Sequence, residues 1–250
     1  AVSFDLPEYT TNADASGTLR ILESIVRVDK KIKFYQAGSS EMFGKVVETP
    51  QTEKTPFYPR SPYGVAKVYS HWITINYRES YNIFACNGIL FNHESPLRGE
   101  NFVTKKIIRG LCRIKFNKQK KLFLGNLKSK RDWGHAEDYV DAMWKMLQYK
   151  KPDDYVICTG KQFSIKQFIS FAAKYLKMQI IWKGVGVNEK GYDENGSCII
   201  ECKKKFLRPA EVDSLMGDSS KAKKILKWTP KKDIKYLVKD MIDYELSEIL

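Results

Sequence analysis

Apolar positions along the chain switch between two periods. Leu19, Leu22 and Val26 recur at helical spacing, which predicts an amphipathic helix over about 13–28, closed by Lys30 and Lys31. Residues 1–12, with Asp5, Pro7 and Tyr9, read as a polar lead-in. Ile32 to Ala37 reads as a short buried strand. Pro50, Pro56, Pro59 and Pro62 punctuate the loop that follows. Ser61 and Pro62 have the character of an N-cap and first helical residue, opening a helix that runs to about Tyr81. Ile83 to Phe91 is nearly continuous in apolar character, as in a strand covered on both faces. Helix, strand, helix, strand at this spacing predicts a doubly wound parallel α/β sheet.

After Asn92 the pattern loosens. His93 to Gly99 reads as a polar turn leaving the strand, Phe102 to Arg113 as a helix, and Lys121 to Gly125 as a short strand. Arg131-Asp132-Trp133 precedes a strongly amphipathic helix, with Val140, Met143, Trp144 and Leu147 expected on its buried stripe. Tyr155 to Cys158 is a further strand. Ser164 opens a helix with a capping box to Gln167, and Phe168, Phe171, Ala172 and Tyr175 are expected to face the core. Residues 183–205, rich in Gly and Lys, read as an excursion, and Ile234, Leu237, Val238, Met241 and Ile242 mark a closing helix. No repeat or low-complexity tract interrupts the 250 residues, which suffice for one large domain or two small ones.

Composition narrows the function class. The formal net charge is +14, much of it lysine in the second half, including Lys118, Lys120, Lys121 and Lys203 to Lys205. No nucleic-acid-binding module accompanies these lysines, so a solvated surface and a phosphate-bearing small substrate are expected, with nucleic-acid binding ranked last. No apolar run approaches a membrane span and no signal peptide is visible. Five scattered cysteines without a Cys-x-x-Cys pattern fit reduced thiols in a cytosolic setting. The three histidines, His71, His93 and His135, do not cluster with them, so no metal site is expected.

Candidate chemistry converges on residues 36–67. Ser39, Ser40 and Glu41 follow a strand end, where open α/β sheets place their ligands. Tyr63 and Lys67 lie four residues apart and share one helix face. A phenol beside an ammonium has its acidity raised, which predicts a general base usable at neutral pH. Alone, such a pair is a common surface feature. The hydroxyl-hydroxyl-carboxylate run some twenty residues earlier is what makes it a site. The Gly-rich turn that usually follows the first strand of a nucleotide-binding sheet is not found, and Gly184, Gly186 and Gly191 read as loop chemistry.

Several motifs occur in a fixed order: Ser39-Ser40-Glu41, Tyr63-x-x-x-Lys67, Phe91-Asn92-His93-Glu94-Ser95-Pro96, Lys130-Arg131-Asp132-Trp133-Gly134-His135 and Arg208-Pro209-Ala210-Glu211-Val212-Asp213. Over nearly the whole chain this resembles the GDP-mannose 4,6-dehydratases of the extended short-chain dehydrogenase/reductase superfamily. The resemblance implies a Rossmann-like sheet lacking its first βαβ unit, roughly a hundred residues with a Gly-x-x-Gly-x-x-Gly turn. It also implies a smaller mixed α/β domain for the substrate. Residues 1–94 and 131–158 would form the NADP-binding part, and 95–130 and 159–250 the GDP-mannose-binding part.

The resemblance implies roles as well. Ser39 would hydrogen-bond the sugar 4-hydroxyl, Tyr63 with Lys67 would take its proton, and Glu41 would act at carbons 5 and 6 to expel water. Tyr9, Lys67, His93 and Arg98 match NADP-contacting positions, although Leu97 replaces an Arg that often precedes Arg98. Asn92, Val103, Lys106, Arg131, Arg208 and Glu211 match positions that hold GDP-mannose. A cytoplasmic homo-oligomer, dimer or tetramer, is implied. Without the Gly-rich turn, a catalytically silent fragment or interaction subunit is the alternative.

Overall fold

A computed structural model describes residues 2–206, 212 and 214–249. In order, its elements are α1 (Val2–Asp5), α2 (Pro7–Thr10), a π-helical turn (Thr11–Ser16), α3 (Gly17–Val28), β1 (Phe34–Ala37), a 3-10 turn (Ser40–Met42), α4 (Pro62–Tyr81) and β2 (Ala85–Leu90). There follow β3 (Asn92–Glu94), α5 (Val103–Lys115), β4 (Leu122–Leu124), β5 (Lys130–His135), α6 (Ala136–Gln148), β6 (Asp154–Ile157), β7 (Gln162–Ser164) and α7 (Ile165–Tyr175). The chain continues through β8 (Ile181–Lys183), β9 (Lys190–Tyr192), β10 (Cys198–Cys202) and α8 (Ser220–Leu226) to α9 (Ile234–Ile249).

The central sheet runs β1-β2-β6, all parallel. Every residue of β2 is buried, because helices cover both faces. Side chains alternate accordingly. Ala85 packs with Leu22, Ile25 and Tyr77 of α3 and α4. Cys86 and Leu90 pack on the opposite face with Tyr139, Ala142 and Met146 of α6 and Leu226 of α8. The outer edge of β6 is shielded where the Glu53 carboxylate accepts the Val156 N–H at 2.8 Å. A second sheet, β4-β10-β9-β8, mixes parallel and antiparallel pairs, and a third runs β3-β5-β7. Helices α5, α7 and α9 enclose the second core with Ile200 of β10 and Trp133 of β5. No helix among the described residues is long and apolar enough to cross a membrane.

The parallel α/β sheet and the helices at both ends of the chain agree with the sequence reading. Ser61 caps α4 through the Gly64 N–H at 3.0 Å, Pro62 is its first residue, and Asn82 ends it in the left-handed region. The Ser164–Gln167 capping box is formed on both sides. All five expected core residues of α9 are buried.

Five expectations are corrected. The lead-in is helical, forming α1, α2 and the π turn. His93 lies on β3, paired with β5, not in a turn, and Lys130 to His135 form the strand β5. Charge hid β5: its buried Asp132 accepts hydrogen bonds from the Thr159 N–H and hydroxyl and from the Gly160 N–H, so polarity is satisfied inside. Helix α6 is rotated by about one residue from the expected stripe. Tyr139, Ala142 and Met146 are buried while Val140 and Trp144 are about 60% exposed (58% and 61%). Trp228 sets that rotation, packing edge-on to Tyr139 and donating its indole N–H to the Asp138 carbonyl at 2.7 Å. The excursion 183–205 contains β9 and β10 of the second sheet, and Tyr175 of α7 faces out, its hydroxyl donating to Asp243.

One part-buried ion pair ties α4 to the far strand of the central sheet. Arg78 donates twice to Asp154, at 2.9 and 3.0 Å, and Asn87 donates to the same carboxylate at 2.8 Å. Burial opposes the charge on Asp154, but the Arg78 hydrogen bonds and charge win and hold its carboxyl below the usual range. Arg78→Met strands that carboxylate, so an urea or thermal melt should show a loss of about 3–5 kcal/mol.

Candidate active site

The site begins where β1 and β2 end. Gly38 donates to the Gly88 carbonyl at 2.8 Å, and a Cβ on Gly38 would stand 2.6 Å from that oxygen. The chain therefore leaves the sheet over a bare backbone. Ser39 then caps the 3-10 turn, its hydroxyl accepting the Glu41 N–H at 3.2 Å. The first turn of α4 presses against this turn. A Cβ on Gly64 would lie 2.9 Å from the Glu41 carbonyl, so glycine is what lets the two backbones approach.

That approach sets Tyr63 beside the Ser-Ser-Glu run. Its phenol hydrogen-bonds the Ser39 hydroxyl and feels the Glu41 carboxylate. Lys67, one turn on, holds its Nζ 5.5 Å from the Tyr63 ring centroid. Ser39, Glu41, Tyr63 and Lys67, separated by up to 28 residues, are thus gathered at one strand end. The expected acidity of the phenol is corrected. Burial pushes Tyr63 up, and this outweighs the pull of Lys67 and the Ser39 hydrogen bond, while Asp14 and Glu41 add to the rise. A cation four residues away does not by itself make a base when the phenol is buried and the cation is already paired. Lys67 is paired: its Nζ stands 2.7 Å from Asp14.

The next strand end carries His93 and Arg98. The His93 Nδ1 lies 2.9 Å from the Phe91 carbonyl, which can only accept, so Nδ1 carries the proton and Nε2 the lone pair. The ring stacks on Tyr139 at 4.8 Å, and burial lowers its pKa, keeping it neutral. Arg98 lies flat on Phe102, 3.4 Å from the ring centroid, and its Nε is 2.9 Å from Glu94. Glu94 also accepts from Thr104 at 2.7 Å.

Burial pushes the Glu94 carboxyl up to about 7 against Arg98 and Thr104. The folded protein then holds a proton that the unfolded chain releases near the ordinary 4.5. This contribution to stability is complete below that pH and is lost as the pH rises toward 7. Glu94→Gln should remove it, flattening the stability profile across that window by about 3 kcal/mol in melts recorded at stepped pH.

The remaining expected residues are more dispersed. Tyr9 sits on α2 and is mostly exposed, and Leu97 is fully open to solvent at 83%. Asn92 begins β3 and Val103 begins α5. Lys106, one turn into α5, lies over the Phe206 ring at 3.7 Å, and its pKa is lowered by burial and by the Lys205 charge. Arg131 is buried in β5 and donates to the carbonyls of Val212 and Lys130 at 2.7 and 2.8 Å. Arg208 and Glu211 lie outside the described residues. Sequence reasoning missed Asp14 and Glu94 as supports of the site. The Asp14-Ala-Ser-Gly run signals a turn or helix entry, and nothing local to it points at Lys67. No cluster of three or more metal-ligating side chains occurs among the described residues.

Comparison with known proteins shows the family of the chain. The family profile described as GDP-mannose 4,6 dehydratase matches residues 1–241. The chain is 58% identical over 251 residues to the GDP-mannose 4,6 dehydratase of Drosophila melanogaster and 53% identical over 248 residues to GDP-mannose 4,6 dehydratase 2 of Caenorhabditis elegans. Each alignment covers 98% of this chain but 63% and 65% of the relative, so the chain spans a little under two thirds of their length. Among solved structures, RMD from Pseudomonas aeruginosa complexed with NADPH superposes with a TM-score of 0.83 at 20% identity, over 98% of this chain and 77% of that one. The dTDP-glucose 4,6-dehydratase from Bacillus anthracis in complex with NAD gives 0.78 at 19%, over 95% and 68%. At those identities the likeness is one of fold. The profile and the identity over almost all of its residues establish that this chain belongs to the GDP-mannose 4,6 dehydratase family.

Proposed function

We propose that the protein works as a GDP-mannose 4,6-dehydratase, converting GDP-mannose to GDP-4-keto-6-deoxymannose and water. The observation that carries this reading is the meeting of Glu41 with Ser39 and Tyr63. An epimerase needs the phenol but no carboxylate at that position; eliminating water needs both. Ser39 binds the sugar 4-hydroxyl and Tyr63, with Lys67, accepts its proton. Glu41 removes the proton on carbon 5 and returns one to the departing 6-hydroxyl. NADP, when bound, would supply the redox chemistry at carbons 4 and 6, and the whole conversion would be redox-neutral.

The donor set suits that cofactor in part. Lys67, neutral His93 with its Nε2 lone pair, Arg98 and Tyr9 are the residues assigned to it, and Lys67 and Arg98 supply cationic donors near the ends of β1 and β2. The Gly-rich turn that would cradle a pyrophosphate is not in these residues, and β1 pairs only with β2 in the described sheet. Asn92, Val103, Lys106, Arg131, Arg208 and Glu211 are assigned to GDP-mannose. The mutual repulsion of Lys106 and Lys205 favours a diphosphate between them. We assign residues 1–94 and 131–158 to the cofactor and 95–130 and 159–250 to the substrate, with α8 returning to the central core. A cytoplasmic homo-oligomer, dimer or tetramer, is proposed, in keeping with five free cysteines.

The test is direct. The purified chain is mixed with NADP and GDP-mannose, and loss of water from the nucleotide sugar is followed by mass spectrometry, beside a calorimetric NADP titration. Product formation with micromolar NADP binding is expected. A chain that binds neither compound overturns the reading for these residues and favours the silent-fragment alternative.

A further inference from the structure

Arg98 is assigned to the cofactor, yet the turn it sits on, residues 95–99, is held by the closing helix of the chain. The Lys105 ammonium, on the first turn of α5, donates to the Pro96 carbonyl at 3.1 Å. The same Nζ stands 2.8 Å from the Glu245 carboxylate of α9, and both side chains are 8% exposed. Arg109, one turn further along α5, lies 3.7 Å from the other Glu245 oxygen and pairs with Glu100, just past the turn. Arg98 closes the turn itself, donating its main-chain N–H to the Ser95 carbonyl at 3.0 Å. The core does not need the Lys105–Glu245 pair. Leu237, Val238, Met241 and Ile242 already bury α9 in the second core. Burying a carboxylate with an ammonium costs desolvation that an apolar pair avoids, so such a pair is weak support for stability. What it supplies is direction. A lysine stem is long and flexible, and its ammonium is strongly hydrated. The buried carboxylate keeps that ammonium from turning to water and fixes it where it meets the Pro96 carbonyl.

We propose that Glu245 is a positioning residue for cofactor binding: through the Lys105 ammonium it holds the Pro96 carbonyl, and with it the turn that presents Arg98. This rests on the assignment of Arg98 to NADP. The turn has a second support on β3, where Glu94 accepts from the Thr104 hydroxyl and pairs with the Arg98 Nε. Thr104 and Lys105 are neighbours on α5, so two buried carboxylates divide the work. Glu94 fixes the Arg98 side chain, and Glu245 fixes the backbone two residues before it. A substitution on α9 therefore reaches the turn only by way of Lys105.

The test reads the turn directly and cofactor binding separately. Hydrogen exchange of the full chain is followed by mass spectrometry over residues 96–102, with residues 234–242 of the α9 region as the control. Glu245→Gln keeps the shape and loses the charge. Exchange at 96–102 should quicken about tenfold, while that at 234–242 changes by less than about twofold. Lys105→Met should quicken the turn to the same extent, and Glu245→Gln added to it should bring no further change. NADP affinity, read by calorimetry, should weaken about fivefold in each single variant, because the Arg98 contact is loosened rather than removed. A turn that does not respond overturns the proposal. So does a general loosening of α9 along with the turn, which is the mark of a purely structural Glu245, and so does an additive double variant. If the wild-type chain binds no NADP, the cofactor assignment fails, and the exchange pattern alone decides whether Glu245 holds the turn. Glu245→Leu carries the same test should the Gln variant not fold.

Discussion

Glu41→Gln should stop water elimination while leaving oxidation at carbon 4 intact. The amide has the size of the carboxylate and keeps the same main-chain N–H, which the Ser39 hydroxyl accepts at 3.2 Å. The 3-10 turn and its contact with Gly64 therefore survive. What is lost is a group that can take a proton from carbon 5 and hand one to the leaving hydroxyl, since an amide does neither near neutral pH. General acid–base contributions of this kind are worth about 10²–10⁴ in rate, and Glu41 is assigned two such transfers, so the upper end is expected. The measurement has two channels. Reduced-nicotinamide absorbance should rise by up to one equivalent per site, whereas 6-deoxy product falls by about a thousandfold or more. If the variant makes product at the wild-type rate, Glu41 is not the elimination acid–base.

Tyr63→Phe should silence both channels. Phenylalanine fills the same space at the start of α4, so the Ser61 cap and the approach of Gly64 are preserved. Only the hydroxyl goes, and with it the hydrogen bond to Ser39 and the acceptor for the 4-hydroxyl proton. A loss of about 10²–10⁴ in kcat is expected, with substrate affinity, read by calorimetry, changed less than tenfold. The pair of variants is diagnostic because the two groups act in sequence. Loss at Tyr63 leaves no reduced nicotinamide to observe, whereas loss at Glu41 leaves it accumulated. The raised pKa of the unliganded phenol also has a consequence for wild-type protein. Turnover should increase with pH through the neutral range, since more phenolate becomes available as the pH approaches its midpoint.

The members of the candidate site were largely legible along the chain. Tyr63 and Lys67 share a helix face by spacing alone, and Ser39 and Glu41 sit just past a strand by apolar pattern. Local rules cover such features: a cap, a proline at the first helical position and a period of 3.6 or 2 all act within a few residues. The support of the site was not legible. Asp14 reaches Lys67 across 53 positions, and the buried Glu94 holds Thr104 and the half-buried Arg98. The charged strand β5 had no apolar signature because the partners of Asp132, Thr159 and Gly160, lie on another strand's exit.

Residue type and spacing thus dictated the alternation of helices with parallel strands, the capped ends of α4 and α7, and the reactive groups that gather beyond β1. Those outcomes depend on backbone sterics and on hydrophobic periods, which are properties of short stretches. Packing decided the rest: which stripe of α6 turns inward beneath Trp228, how close Gly64 brings the phenol to Glu41, and whether the Lys67 charge is free or paired. These depend on desolvation and on Coulomb interactions between groups far apart in the chain, and such energies are set only once burial and distance exist.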